Sequence, residues 1–252
     1  MIKHERLDAI TRMVHQSGTV KVSEIMEALG VSDMTVRRDL TELENQGILT
    51  RVHGGAKSNR VVSFRELSHE ESHQQNMEAK RQIAKRAAAL IDEGDTIFLG
   101  PGTTIELLAD EIKHEKLQVV TNCWPIFNQL YRRKTDQFKV FLLGGEMRAN
   151  TQAFTGEMSQ RIMDQLYFSK MFFSCSGVKD GLVLTSSIEE AHTQQLALER
   201  SKERFLLADS SKLGKTSFTQ ICPLSQVSLV LTDQEYSRHI QKELGPYTSY
   251  VD

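Results

Sequence analysis

The first 55 residues are divided into short apolar-periodic pieces by punctuation that suits few small folds. Leu7, Ile10 and Val14 form one stripe over residues 3–16, and Ser17-Gly18 end it. Thr19–Val22 is short, alternating and β-prone. Ser23 offers an N-cap to a second helix lined by Ile25, Met26 and Leu29, and Gly30 stands where a C-cap with positive φ is needed. Ser32 caps a third helix, Asp33 complements its dipole, and Val36, Leu40 and Leu43 form its inner stripe before Gly47. Ile48–Val52 reads as a strand that turns at His53-Gly54-Gly55. Helix, short strand, helix, tight turn, helix, hairpin is the order of a winged helix-turn-helix.

That order draws attention to the outer face of the third helix. With the apolar stripe facing in, Thr35, Arg37, Arg38 and Thr41 lie on or beside the opposite face. The N-terminal part of a recognition helix meets base edges in the major groove, where Arg binds guanine O6 and N7 in a bidentate manner. The Ser32 hydroxyl and the N–H groups of Ser32 and Asp33 suit a phosphate oxygen. Arg51, His53 and Lys57 on the wing reach neighbouring phosphates or the minor groove. The competing reading, in which Arg37 and Arg38 pair with Asp39, Glu42 or Glu44 on a solvated helix, suits an isolated RR pair better than one in a capped three-helix frame. The whole chain carries a formal charge of −2, and residues 1–60 hold nine Lys and Arg against eight Asp and Glu. Contact with double-stranded operator DNA must therefore be local.

The run VSDMTVRRDLTELENQGILTRVHGGA, residues 31–56, resembles the signature of the DeoR family of bacterial repressors, and Arg6, Ile10 and Val22 also stand where that pattern expects them. The resemblance implies sequence-specific operator binding through the helix that begins at Ser32.

At 252 residues the chain is long enough for one large or two smaller domains. It has no run of about eighteen apolar residues and no apolar core of a signal peptide near its start, so a cytosolic location without membrane contact is expected. Cys123, Cys175 and Cys222 stand far apart with no CxxC pair, which argues against a disulfide framework and a cysteine zinc site. They are expected to be reduced, buried and small-apolar in role. The divisions expected are a DNA-binding domain over 1–57, a linker over 58–76 and an α/β domain over 77–252. Polar residues 57–79 read as a hinge. Inside it, His69-Glu70-Glu71-Ser72-His73 is a literal HExxH, the pattern of zinc peptidases. Its flanks, Leu67-Ser68 and Gln74-Gln75-Asn76, lack an apolar face, and no third ligand follows. No metal and no cofactor are expected.

A helix then runs to about Ile91, with Ile83, Ala84, Ala87 and Leu90 inward. From residue 92 apolar strands alternate with helices: strands at Thr96–Leu99, Leu117–Thr121, Phe138–Leu143, Met171–Ser174, Phe205–Ala208 and Val227–Thr232, helices at Thr103–Ile112, Pro125–Arg133, Glu157–Leu166 and Ile188–Ser201. The pattern predicts a mostly parallel sheet covered on both faces, with ligands at the carboxyl ends of its strands. Polar elements recur there. Gly100-Pro101-Gly102-Thr103-Thr104 lies between a strand and a helix, either as a tight turn or as an anion cradle of backbone N–H groups and hydroxyls. Asn122 ends the second strand. Gly144-Gly145-Glu146-Met147-Arg148 ends the third, placing Gly145, Glu146 and Arg148 beside a ligand's hydroxyls and phosphate. Asp209-Ser210-Ser211-Lys212 brings a carboxylate and an ammonium to a later strand end. Gly100, Gly102, Thr103, Thr104, Asn122, Gly145, Glu146, Arg148, Asp209 and Lys212 are the candidate effector-binding residues, and an anionic, polyol-bearing ligand is the expected occupant.

This body resembles the DeoR-type sensor, most clearly at GPGTT, LGGE and ADSSKLGK, over roughly residues 77–235. The resemblance implies an α/β fold similar to ribose-5-phosphate isomerase. MIKHERLD, FLGPGTTIELLADE, LLGGEMR, FSKMFFS and HTQQLAL further resemble the branch of that family that represses phosphotransferase-linked lactose operons, which implies tagatose 6-phosphate as effector. Many DeoR-type sensors carry Asp before the strand at Lys170–Ser174 and Gly after its Phe, where this chain has Ser169 and Phe173-Ser174-Cys175. The rival reading is an active sugar-phosphate isomerase with a DNA-binding head. Glu146, or Asp209 with Lys212, would supply its base, but the nearest match to an acid-bearing glycine segment, Cys175-Ser176-Gly177, has no carboxylate. No catalytic residue is expected, and a homo-oligomer presenting two heads to paired half-sites is.

Overall fold

Residues 2–59, 68–233 and 249–250 are described by the structure, a computed structural model. The chain divides into two units, Met1–Phe64 and Arg65–Asp252, each with an apolar core of its own.

The first unit runs α1 (Lys3–Ser17), β1 (Thr19–Lys21), α2 (Val22–Leu29), α3 (Asp33–Asn45), β2 (Leu49–Val52) and β3 (Gly55–Ser58). The predicted stripes close on one another: Ile10, Val14, Ile25, Val36, Leu40, Leu43 and Leu49 are all fully buried. β3 lies between β1 and β2 in an antiparallel sheet, so β2 and β3 form the wing. Ser32 caps α3, its Oγ accepting from Thr35 N at 3.4 Å. The expected cap at Ser23 is not used: α2 begins two residues earlier, with Lys21 in the cap position, and Glu24 accepts from Lys21 N at 2.9 Å. Arg6 reaches from α1 into α3, donating through Nε and Nη2 to the buried carboxylate of Asp39 at 2.5 and 3.1 Å. Asp39 is thus absent from the solvated ion pairs that the sequence left open for Arg37 and Arg38.

The second unit opens with α4 (His69–Gln74) and α5 (Met77–Ala88). There follow β4 (Thr96–Leu99), α6 (Thr103–Glu111), β5 (Leu117–Thr121), α7 (Trp124–Tyr131) and β6 (Phe138–Leu142). A hairpin, β7 (Glu146–Arg148) and β8 (Ala153–Thr155), leads to α8 (Glu157–Met163) and β9 (Phe168–Phe173). Then come β10 (Gly177–Lys179), β11 (Leu182–Thr185), α9 (Ile188–Glu199), β12 (Ser201–Leu207), β13 (Thr219–Pro223), β14 (Leu229–Leu231) and β15 (Ser249–Tyr250). Seven strands form one sheet in the order β15-β14-β12-β9-β4-β5-β6, and every neighbouring pair is parallel. Alternate strand residues serve opposite faces. Ile97, Leu99 and Phe172 pack with Ile83 of α5, Ile105 of α6 and Ile126 of α7. Phe98, Met171 and Phe173 pack with Ala191 and Leu198 of α9 and with Val183 of the small sheet β10-β11-β13.

The chain starts in the middle of the sheet at β4, builds outward through β5 and β6, then returns to β9 on the other side of β4. The carboxyl ends of β4 and β9 therefore bound the crevice where the winding direction reverses, the place where doubly wound sheets bind ligands.

The residues read as a linker, 58–76, include the end of β3 and all of α4, while 60–67 lie outside the described residues. Cys123 and Cys222 are buried as expected and Cys175 is only partly buried. No helix among the described residues is long and apolar enough to cross a membrane.

Candidate DNA-binding face and effector site

On the first unit hydrogen bonds connect several of the predicted residues. Ser32, Asp33, Arg37 and Arg38 are exposed on α3, with Thr35 and Thr41 partly buried beside them. They are linked: Arg37 Nε donates to Asp33 Oδ1 at 2.5 Å, and Thr41 Oγ1 donates to the Arg37 carbonyl at 2.9 Å. Arg51 crosses from β2 to donate to Thr41 Oγ1 at 2.8 Å, and its N–H is fixed by Glu44 Oε1 at 2.8 Å. His53 and Lys57 are exposed on the wing. The partner of Arg37 is Asp33, which was not among those considered. Arg38 has no hydrogen bond or ion pair among the described residues.

On the second unit Gly100–Thr104 follows β4 into the first turn of α6. Gly102 takes φ +135°, and a Cβ there would lie 3.1 Å from Ser174 Cβ at the end of β9, so glycine lets the loop close on the crevice. The N–H groups of Thr103 and Thr104, in the first turn, have no intrahelical acceptor. Burial, with Glu106 and Glu190 nearby, pushes the Cys123 thiol up to about 12, so it stands here as an inert packing group.

Asn122 follows β5 and is buried. Its Nδ2 donates to the Phe154 carbonyl at 2.9 Å, and its Oδ1 has no hydrogen-bond partner among the described residues. Asp209 does not pair with Lys212 as the sequence suggested. Its Oδ1 accepts from Ser211 N at 3.1 Å, capping the turn at Ser210–Lys212, and from Asn76 Nδ2 at 2.9 Å. The Lys212 ammonium makes no hydrogen bond or ion pair among the described residues. Gly145 serves the hairpin rather than an open space: a Cβ there would meet the Thr155 carbonyl at 2.3 Å. Glu146 is exposed, and Arg148 pairs with the buried Glu190 of α9 at 2.6 Å. The two carboxylates considered for an isomerase base are thus an exposed one and a capping one.

Four further residues crowd this edge. Lys80, 3% exposed, donates to Thr103 Oγ1 at 2.9 Å and to the Ser72 carbonyl at 2.5 Å. Its pKa is lowered, first by burial and then by Lys212, against the pull of Asp209 and Glu106. Glu106 meets His69 Nε2 at 2.5 Å, and Glu190 holds Arg148. Lys80 left a trace in the sequence: it stands between Met77 and Ile83 on the inward stripe of its helix, where a lysine needs a reason. His69 belongs to the HExxH, but the ring is engaged with Glu106, and no group of three metal-ligating side chains occurs among the described residues. Ser169 bonds Asp95 Oδ1 at 2.8 Å and the Thr96 carbonyl at 3.0 Å at the amino ends of the strands, so the family departure there lies away from this site. A cleft of about 570 Å³ lined by Lys113, His114, Arg133, Asp136 and Phe138 also lies off the strand carboxyl ends, and its mixed charges suit no single anion.

A winged helix-turn-helix on one unit and a parallel sheet with a glycine–threonine loop at its switch point on the other define a class of ligand-sensing, DNA-binding transcription regulators. Comparison with known families places both parts: residues 6–62 match the DeoR-like helix-turn-helix domain and residues 75–234 the DeoR C terminal sensor domain. The chain belongs to the DeoR family. The lactose phosphotransferase system repressor of Staphylococcus epidermidis is 58% identical over 233 residues, 92% of this chain and 93% of that one. The repressor of the same name in Streptococcus mutans is 53% identical over the full 252 residues of both. With both domains of this family and relatives named as repressors, the chain is a regulator rather than an enzyme. Ribose 5-phosphate isomerase A of Methanocaldococcus jannaschii is similar over 55% of each chain at 19% identity, with a TM-score of 0.40.

Proposed function

We propose that this chain represses a lactose or galactose catabolic operon, holding double-stranded operator DNA through α3 and the wing, and that a sugar phosphate, tagatose 6-phosphate, releases it. The observation that carries the effector half is the loop Gly100–Thr104 at the switch point, with open amides at Thr103 and Thr104 and the unpaired ammonium of Lys212 on the same edge. The identity of the sugar is supported by the lactose repressor names of relatives more than half identical.

In this reading the phosphate sits at Gly102–Thr104 with Lys212. Asn122, Glu146, Arg148 and Asp209 border the hydroxyl-bearing end, and Gly100 and Gly145 shape the backbone around it. On the head, Arg38 and Arg37 read bases, Ser32, Asp33 and Thr35 hold a phosphate at the start of α3, and Thr41, Arg51 and His53 extend the contact to the wing. A homo-oligomer presents two heads to paired half-sites. The effector acts by preferring one state of the sensor, a coupling of about 1–3 kcal/mol in typical systems.

The experiment is Thr104→Glu, assayed on a DNA fragment selected from a random pool by the wild-type protein. A carboxylate in place of the hydroxyl repels the phosphate and leaves the head untouched, so the variant should bind that DNA normally and fail to release it with tagatose 6-phosphate. Release at the wild-type concentration would remove the loop from the effector site.

A further inference from the structure

Three contacts fasten residues 69–76 to the rim of the effector site. His69 Nε2 meets Glu106 Oε1 at 2.5 Å, Lys80 Nζ donates to the Ser72 carbonyl at 2.5 Å, and Asn76 Nδ2 donates to Asp209 Oδ1 and Ser211 Oγ at 2.9 Å each. Lys80 is the member shared with the phosphate loop, since it also donates to Thr103 Oγ1 at 2.9 Å. An ammonium has three N–H donors. Two are committed here, one to α4 and one to the loop, and no carboxylate stands within ion-pair distance among the described residues. A buried cation in that condition is short of an anion.

We propose that Lys80 is a phosphate ligand and the bridge from effector to α4: a phosphate on the Gly102–Thr104 loop takes the ammonium's third hydrogen bond and thereby tightens α4 onto the sensor. The proposal rests on the effector reading of that loop. Burial and Lys212 both disfavour the charged form of Lys80, and a phosphate reverses both influences by neutralising Lys212 and supplying the missing partner. A fully charged ammonium makes the stronger, charge-assisted bond to the Ser72 carbonyl. No bond has to break: Thr103 Oγ1 accepts from Lys80 and keeps its own proton to donate to the ligand. α4 adjoins in sequence the residues that lead to the DNA-binding head, so its docking is placed to report the ligand state to that head. Because coupling is reciprocal, loosening α4 by another route must weaken the effector.

The test uses full-length protein, tagatose 6-phosphate and inorganic phosphate, with calorimetry for affinity and hydrogen exchange over residues 70–75. Wild type should bind the sugar phosphate and exchange these amides several times more slowly when bound. Lys80→Met should lose about tenfold or more in affinity for both ligands and show no ligand-dependent protection of α4. His69→Ala, which leaves the Lys80, Thr103 and Thr104 side chains in place, should lose roughly fivefold in affinity through the coupling alone, and it decides the matter if Lys80→Met does not fold. Binding with unchanged or faster exchange in α4, or undiminished affinity in both variants, overturns the bridge and leaves the effector site standing. Failure of the wild type to bind either ligand overturns the effector reading, and the role of Lys80 with it.

Discussion

Arg37 donates to Asp33 at 2.5 Å, whereas Arg38, one residue on, points from the same helix with no partner among the described residues. The hydrogen bond and the charge of Asp33 hold the Arg37 guanidinium even more firmly protonated than usual, and DNA has to compete with that carboxylate for it. Arg38 is the better placed of the two for a base edge. Arg38→Ala should therefore cost about 1–3 kcal/mol on the selected DNA and much less on random DNA, measured by titration. An equal loss on both would assign Arg38 to the phosphate backbone. Asp33→Ala, which frees Arg37 and removes a negative charge from the face, should tighten binding to random DNA. At this scale the sequence revealed which residues face outward, because three apolar positions fix the helix's orientation. It could not show which arginine is free, because an i,i+4 pair with Asp33 and several other pairings are equally available to a sequence. Lys80 escaped although it stands on the inward stripe of its helix, because the partners that hold it, the Ser72 carbonyl and Thr103, belong to other elements that the sequence does not bring together.

Among elements, β4 and β9 meet at their carboxyl ends, where Gly102 closes on Ser174, and are joined at their amino ends by an ionic knot. The buried Lys170 of β9 donates to Asp95 at 2.7 Å and to Asp92 at 2.5 Å, and Ser169 adds a bond to Asp95. Burial raises the Asp95 pKa, but the bonds from Lys170, the Asp92 backbone and Ser169 outweigh it, so the carboxyl lies below its ordinary range. A depressed carboxylate contributes stability above its unfolded pKa, about 4, and loses it as the pH falls through the folded value. Thermal unfolding followed from pH 6 to pH 2 should show the sensor losing stability below about pH 4, and Asp95→Asn should flatten that slope while lowering the melting temperature at pH 7. An unchanged slope would remove the knot from the account. Strands such as Ile97–Leu99 and Val119–Thr121 were legible because a sheet buried on both faces demands continuous apolar runs. The hairpin β7–β8 and the sheet β10-β11-β13 were not, since three- to five-residue strands with partly exposed positions carry no measurable period. Helix α4 has no buried residue; it is held by ion pairing and by the capping box of Ser68 and Glu71, a signal that was present at SHEE but lay inside an apparently featureless polar stretch.

At the scale of the molecule, the chain joins a DeoR-like helix-turn-helix domain to a DeoR sensor domain, and both halves were legible because each leans on a different regularity. The head is set by caps and stripes at 3.6-residue spacing, the sensor by strand–helix alternation. The bridge proposed for Lys80 was not legible, because it depends on contacts between α4, α5 and α6 that no local pattern encodes. If the sensor assembles the oligomer, sedimentation of residues 77–252 alone should match the oligomeric state of the full chain, and a monomer would move assembly elsewhere. The most direct test of the central claim is a titration of the selected DNA with full-length protein, repeated in the presence of tagatose 6-phosphate, galactose 6-phosphate and fructose 6-phosphate. The account predicts tight, sequence-dependent binding that tagatose 6-phosphate weakens at least fivefold. DNA binding that none of the three sugar phosphates changes would contradict it.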